Sequence, residues 1–221
     1  MHKKLLRGAL LALFAHQVVL RFVRRRWPAP APALIGPALS GPIRRLAQPP
    51  KTVVARSGVT SGDRVLEVGC GSGAFTFQTA RAAGPQGRVV ALDMQSGMLR
   101  QLLARLVRQQ DQSPERAPIM PLRANAHRLP LAAGCMDVVT MITVLSEIPN
   151  PERALGEAAR VLRPDGTLAI TEFLPDPDYV TRRETIALVR ANGYVVEAVE
   201  GSIWNYTVRC RVADVRIAAR S

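Results

Sequence analysis

Acidic residues are missing from the first part of this 221-residue chain. The first one is Asp63, whereas residues 1–56 contain eleven lysines and arginines. The remainder has nineteen basic and seventeen acidic residues, so the formal net charge of +13 belongs almost entirely to the N-terminal extension. A protein that binds nucleic acid is expected to concentrate its positive charge around the binding site. The distribution therefore argues against nucleic acid as a partner.

Cysteines are also few. The three, Cys70, Cys135 and Cys210, are far apart and form no CxxC pair. This spacing excludes a disulfide framework and a zinc site of the usual kind, and it is typical of a protein from a reducing compartment. We therefore expect a cytoplasmic protein without a metal. A hydrophobic content of 48% is enough to bury the core of one ordinary domain.

No apolar run is clearly long enough to span a membrane. The longest lies between Arg7 and Arg21, and as a helix its thirteen residues extend over roughly 20 Å, whereas a bilayer core is about 30 Å thick. Basic residues and Trp27 follow this run, as at the surface of an anionic membrane. Three interpretations remain open for residues 1–27: a membrane anchor on the cytoplasmic face through residues 5–27, a helix packed on the domain, or a cleaved signal peptide.

Residues 28–50 are rich in proline and cannot form one regular element. Because apolar residues recur between the prolines, we expect this linker to cover the domain near its substrate entrance. The domain itself is predicted for residues 51–221.

The segment from Val65 to Thr76 organises the domain. A buried strand ends at Val68, three glycines alternate through a turn, and apolar residues then continue at helical spacing. Gly69, Gly71 and Ala74 satisfy the G-x-G-x-x-G/A pattern of dinucleotide-binding proteins. A nicotinamide-dependent oxidoreductase is therefore one possible function.

Glu67 and the third alternating glycine, Gly73, add information. The resulting E-x-G-x-G-x-G resembles motif I of the class I S-adenosylmethionine (SAM) methyltransferases. In that family the turn passes under the methionine and ribose of SAM. The resemblance assigns to cofactor binding the residues Glu67, Gly69, Cys70, Gly71 and Gly73. Cys70 is interpreted as a small filler rather than a reactive thiol.

A second strand, Arg88–Asp93, ends twenty residues after Gly73. An acid at that position can accept hydrogen bonds from a ribose diol, so Asp93 is assigned to the ribose. The resemblance places Met94 against the adenine ring. It also assigns Asn125, where the family commonly has aspartate, and Ala126 to the adenine, whereas His127 is expected to face solvent.

The fourth strand, Met136–Ile142, should direct the residues that follow it into the ligand crevice. Thr143 is assigned to cofactor binding, Ser146 and Tyr179 to the substrate, and Glu147 to both catalysis and substrate binding. The segment from Pro149 to Phe173 is again similar to this family.

The resemblance covers about Lys51 to Val212 and is strongest to the group that methylates ubiquinone and menaquinone precursors. It implies an α/β fold: a Rossmann-like, seven-stranded, mostly parallel sheet with helices on both faces and an antiparallel C-terminal hairpin strand. The implied reaction is in-line transfer of a methyl group from SAM to a small, lipophilic acceptor, leaving S-adenosylhomocysteine. A SAM-binding protein without catalytic activity remains an alternative, and the oligomeric state is not predicted.

Overall fold

The structure is a computed structural model that describes residue 26 and residues 30–36, 41–108 and 115–213. Seven strands form one sheet: β1 (Arg64–Val68), β2 (Arg88–Asp93), β3 (Ile119–Arg123), β4 (Met136–Ile142), β5 (Leu162–Phe173), β6 (Tyr194–Gly201) and β7 (Asn205–Val212). Their order across the sheet is β3-β2-β1-β4-β5-β7-β6. The pairs among β1 to β5 are parallel, and β7 runs antiparallel to both of its neighbours. The predicted fold is therefore confirmed.

Helices cover both faces because the strands alternate apolar side chains between them. The helices are α1 (Pro42–Ala47), α2 (Pro50–Arg56), α3 (Thr76–Ala83), α4 (Ser96–Arg108), α5 (Pro151–Val161) and α6 (Arg182–Ala191). Leu66, Val139 and Ile170 belong to the core under α5 and α6. Val65, Val89 and neighbouring strand residues pack under α3 and α4 on the opposite face.

Strand β5 begins earlier than the sequence indicates. The residues Arg163–Gly166 are predicted as a turn before a strand from Thr167, but Leu162 already pairs with Met136. The register then shifts, so that Val138 pairs with Thr167. Asp165 has a φ of 64° within this interruption. The predicted turn is thus an irregularity inside a longer strand.

The N-terminal extension is described only in part. A 3₁₀ turn at Ala33–Ile35 and helix α1 precede α2, which corresponds to the short helix expected before β1. The hypothesis of a membrane anchor in residues 5–27 lies outside the described residues, apart from residue 26. Within the described ranges, no helix is long and apolar enough to cross a membrane.

Candidate active site

A cavity of about 490 Å³ opens at the carboxyl ends of β1, β2 and β4. This is the edge at which open α/β sheets bind ligands, and the volume lies in the range of small-molecule sites. Ten of the residues assigned from the sequence line it: Gly69, Cys70, Gly71, Asp93, Met94, Asn125, Ala126, Thr143, Ser146 and Glu147.

The glycine turn is folded tightly against the loop after β4. Gly69 has a φ of 70°, and a Cβ at this position would lie 2.3 Å from Cγ2 of Val144. Gly71 has a φ of 55°, and the only atom that its Cβ would meet within 4 Å is Sδ of Met98, at 4.0 Å. Glycine at position 69 therefore permits close packing, and glycine at position 71 leaves room for a ligand.

The N–H groups of this turn are largely used within the protein. Gly71 N donates to Oδ2 of Asp93 at 2.9 Å. Cys70 N donates to Leu92 O, and Gly73 N donates to Cys70 O, both at 2.9 Å. A dinucleotide pyrophosphate needs such groups free to donate to its oxygens. The turn is therefore poorly suited to a pyrophosphate, although it can support an uncharged or cationic group.

Asp93 lies at the tip of β2 and is nearly buried. Besides Gly71 N, it accepts a hydrogen bond from Gln95 N, through Oδ1 at 2.8 Å. Burial raises the pKa of this carboxyl, and the backbone N–H groups oppose the increase. Each oxygen has a second lone pair, so both can still accept a hydrogen bond from a hydroxyl. Met94 beside it is half exposed within the cavity, which suits contact with a flat apolar ring.

Two of the assigned glycine-motif residues support the turn from below. Neither Glu67 nor Gly73 lines the cavity. Glu67 is 2% exposed, and its Oε2 has no hydrogen-bond partner among the described residues. Burial raises its pKa to about 8. At Gly73 a Cβ would lie 2.6 Å from Cδ1 of Leu102, so this glycine allows α4 to approach the turn.

Cys70 is a buried thiol within the turn. Burial raises its pKa well above the usual value, and the carboxyl groups of Glu67 and Asp93 act in the same direction. Since the thiolate is the reactive form of cysteine, this thiol is unreactive at neutral pH. Its contribution is to fill space.

The segment after β3 forms another wall of the cavity. Oδ1 of Asn125 accepts a hydrogen bond from His127 N at 2.9 Å, which leaves the amide group free to donate. The expectation that His127 faces solvent is wrong. This side chain lines the cavity, and its buried Nε2 has no partner within the described residues.

Thr143 is held in an unusual backbone conformation directly after β4. Its φ is 53°, which a β-branched residue rarely adopts and which costs about 1–3 kcal/mol. Its N–H donates to Thr171 O at 2.8 Å, and its Oγ1 accepts a hydrogen bond from Arg44 Nη2 at 3.3 Å. Strain of this kind concentrates at functional sites, and here it turns the chain towards Val144 and the glycine turn.

The far end of the cavity is acidic. Its carboxyl groups belong to Glu147, Glu172, Asp176 and Asp178. Arg44 is the only lysine or arginine among the described residues that line the cavity. It forms a bidentate pair with Asp176, with N–O distances of 2.6 and 2.8 Å, and its guanidinium lies 4.6 Å from the centre of the Phe173 ring. With Asp93 included, the cavity has an excess of negative charge, which favours a cationic ligand.

Glu172 is a site residue that we did not predict. It is 1% exposed at the end of β5, and its Oε1 has no hydrogen-bond partner in the described part of the chain. Burial, followed by the nearby charge of Asp176, raises its pKa well above the usual value. An acid within the apolar run of β5 was the available signal.

The proline-rich segment closes the cavity from above. Ala31 N donates to Oε2 of Glu147 at 3.0 Å, and Ala31 O accepts from Gln95 Nε2 at 2.7 Å. Ser72 Oγ donates to Gly36 O at 3.0 Å. Residues 30–36 therefore bridge the glycine turn, the start of α4 and the loop after β4.

Tyr179 is not brought into the cavity. Its hydroxyl donates to Ile203 O at 3.1 Å, and its ring packs edge-on against Tyr206 with 6.0 Å between the ring centres. These contacts hold the loop after β5 against the C-terminal hairpin.

Comparison with known proteins agrees with this geometry. Residues 66–170 match the family described as a methyltransferase domain. The ubiquinone/menaquinone biosynthesis C-methyltransferase UbiE of Pseudomonas paraeruginosa is 33% identical over 140 residues, 63% of this chain and 52% of that protein. The 2-phytyl-1,4-naphtoquinone methyltransferase of a Synechocystis species is 38% identical over 117 residues, 53% of this chain and 48% of that protein. The chain thus spans about half the length of these curated relatives.

Solved structures share the fold. A SAM-dependent methyltransferase from Aquifex aeolicus superposes with a TM-score of 0.75 at 22% identity, over 83% of this chain and all of that one. The [4+2]-cyclase SpnF superposes with a TM-score of 0.64 at 16% identity, over 77% of this chain and 82% of that one. The family match, the quinone-modifying relatives and the sheet order lead to one conclusion: this chain contains a domain of the class I SAM-dependent methyltransferases and resembles their UbiE-like group.

Proposed function

We propose that this protein transfers a methyl group from SAM to a small, lipophilic acceptor. The observation that carries the proposal is an acidic cavity above a glycine turn whose N–H groups are already occupied. The sulfonium of SAM is a cation and is attracted by this charge. The pyrophosphate of a nicotinamide cofactor would be repelled and would lack free donors, so oxidoreductase activity is disfavoured.

The residues of the turn and the strand tips would hold SAM. Asp93 would accept hydrogen bonds from the ribose hydroxyls, and Met94 would contact the adenine, beside Asn125 and Ala126. Gly69 and Gly71 would lie under the methionine portion. Bound there, SAM supplies an electrophilic methyl group on a sulfonium leaving group. The protein then contributes mainly alignment and exclusion of water.

At the acidic end we assign different roles to two carboxyl groups. Glu172, with its raised pKa, would be protonated at neutral pH and would donate a hydrogen bond to an oxygen of the acceptor. Glu147 would take up the proton when the attacking atom loses one. The apolar lining around these groups, including Ile35, Phe75 and Ile142, favours an acceptor with an apolar ring or chain.

The cellular setting is part of the proposal. SAM and the reducing conditions suited to free cysteines are both found in the cytoplasm, where we place the reaction. The membrane contact inferred for residues 5–27 would bring the enzyme close to a lipid-dissolved acceptor. Residues 28–50 would act as the cover between such an anchor and the domain.

Methyl transfer by the full-length chain provides the test. The protein would be incubated with SAM carrying a labelled methyl group and with a panel of quinols, phenols and thiols. We expect label transfer to at least one apolar acceptor. Binding of SAM without turnover on any acceptor would instead support the non-catalytic alternative.

Glu147→Gln tests the role of the base. Glutamine keeps an oxygen that can accept from Ala31 N but cannot take up a proton. We expect kcat to fall by roughly 10² to 10⁴, with an unchanged Kd for SAM. Glu152→Gln, on the exposed start of α5, is the matched control. Full activity of Glu147→Gln would contradict the role of Glu147 as the base.

A further inference from the structure

Four arginines line an open depression of about 810 Å³ outside the cavity. They are Arg45 of α1 and Arg100, Arg105 and Arg108 of α4. The other residues that line it are uncharged: Ala33, Leu34, Ser72, Gly97, Gln101 and Ala104. The depression therefore has positive charge without any acidic group in its wall.

The positive charge is not neutralised within the described part of the chain. No ion pair there involves Arg45, Arg100 or Arg108. Arg105 donates to Ser72 O at 2.8 Å and lies over the Phe77 ring at 5.0 Å. Burial lowers its pKa, and repulsion from Arg45 and Arg108 lowers it further. Four cations held this close together favour an external anion.

Large aliphatic side chains are exposed beside these arginines. Leu34 is 90% exposed, and in α1 Ile43 and Leu46 are 84% and 85% exposed. On α4, Leu103 and Val107 are also exposed and are spaced with Arg100 and Arg108 on the outer side of the helix. The inner side is packed through Met98, Leu99 and Leu102. Cations and aliphatic groups thus share one outward face.

We propose that this α1/α4 face, defined by Leu34, Ile43, Arg45, Leu46, Arg100, Leu103, Val107 and Arg108, binds the surface of an anionic lipid bilayer. Arginines attract acidic headgroups, and aliphatic side chains enter the boundary between headgroups and acyl chains. A soluble phosphate would not explain the exposed leucines. A single-stranded nucleic acid would call for aromatic side chains to stack on, and the described residues of this face have none.

The position of the face deepens the proposed function, on which this step rests. Residues 33–35 lie between the two sites: Leu34 lines the depression, Ile35 lines the cavity, and Ser72 borders both. Gln101 Nε2 holds Ala33 O at 2.8 Å. An acceptor leaving the lipid would therefore meet the cavity cover first, so the substrate class is an acceptor dissolved in the membrane.

Vesicle binding tests the proposal independently of catalysis. The full chain would be sedimented with phosphatidylcholine vesicles and with vesicles containing phosphatidylglycerol. We expect binding to the anionic vesicles, weakened roughly a hundredfold by Arg45→Gln/Arg100→Gln/Arg108→Gln. Arg105 is left in place because it supports the fold. Arg81→Gln/Arg88→Gln/Arg190→Gln, three exposed positions on other surfaces, removes the same charge and should bind as the wild type.

A local probe separates this face from any contribution of residues 5–27. A fluorophore on Leu46→Cys, in a Cys135→Ser background, should be quenched by brominated lipids in anionic vesicles. The same fluorophore on Val195→Cys, at the opposite edge of the sheet, should not be quenched. Equal behaviour of the two probes would overturn the proposal. Binding of inorganic phosphate that is lost in the triple variant, without vesicle binding, would also overturn it in favour of a small-anion site.

Discussion

At the scale of single residues, Asp93 is the side chain on which cofactor affinity should depend most. Asp93→Asn removes the charge and replaces one acceptor oxygen with a donor. Hydrogen bonds to a charged group contribute about 1.5–3 kcal/mol, so we expect the Kd for SAM to rise about 10- to 100-fold. Calorimetric titration measures this change.

Asp63→Asn is the control for this substitution. Asp63 accepts hydrogen bonds from Thr60 at the amino end of the sheet, far from the cavity. Its variant should bind SAM as the wild type does. Equal affinity in Asp93→Asn and wild type would show that the ribose is held elsewhere.

Glu67 should make the protein less stable as the pH rises. Its pKa is about 8 in the folded protein and 4.5 in a model peptide, so between these values the folded state binds more protons than the unfolded state. The free energy of unfolding then falls with a slope of about 1.4 kcal/mol per pH unit. Glu67→Gln removes this titration, and urea unfolding from pH 5 to pH 8 should show a growing advantage for the variant.

Glu157 gives a control of opposite sign. Hydrogen bonding by Arg160 lowers its pKa to about 2, so its contribution is complete above the unfolded pKa and is lost only as the pH falls towards 2. Glu157→Gln should therefore run parallel to the wild type from pH 5 to pH 8. If Glu67→Gln also runs parallel, Glu67 is ionised in the folded protein.

At the scale of elements, the close approach of the glycine turn to the loop after β4 can be measured. Gly69→Ala places a methyl group against Val144 at a φ of 70°. Overpacking and the left-handed backbone together should cost about 2–5 kcal/mol.

Gly62→Ala is the matched control, since Gly62 also has a positive φ, of 95°, but nothing lies within 4 Å of its Cβ. It should lose only about 1–2 kcal/mol. Chemical unfolding compares the two variants. Equal losses would mean that Val144 moves aside without cost.

The cover of the cavity depends on one ion pair. Arg44→Gln breaks the bidentate contact with Asp176 and should increase hydrogen exchange of residues 41–48 about 10- to 100-fold. Arg211→Gln breaks the exposed pair with Glu197 and should leave that segment unchanged. Unaltered exchange in Arg44→Gln would show that the cover is held by its other contacts.

Local signals account for what the sequence could predict at this scale. The bounds of β2 and β4 follow from apolar runs between turn residues, and the glycine turn follows from the alternation of Gly69, Gly71 and Gly73. Arg44 could not be found in this way. It reaches Thr143 and Asp176, which are distant in sequence, and only the folded chain brings them together. Glu172 carries a local signal, a buried acid in an apolar strand, that we did not use.

At the scale of the whole molecule, the charge is divided between two sites. The cavity is acidic and suits a cation, whereas the α1/α4 face is basic and suits an anionic surface. The sequence placed the excess of basic residues in the N-terminal extension, but the arginines of α4 join it only in three dimensions. That α4 and α1 share a face could not be predicted because α1 lies in a proline-rich segment without clear periodicity.

The central claim is that this cavity binds SAM, and titration of the full-length protein with SAM, S-adenosylhomocysteine and NAD tests it most directly. The acidic lining and the occupied N–H groups of the glycine turn predict micromolar Kd values for SAM and S-adenosylhomocysteine and no heat with NAD. Binding of NAD, or of none of the three, would contradict the account.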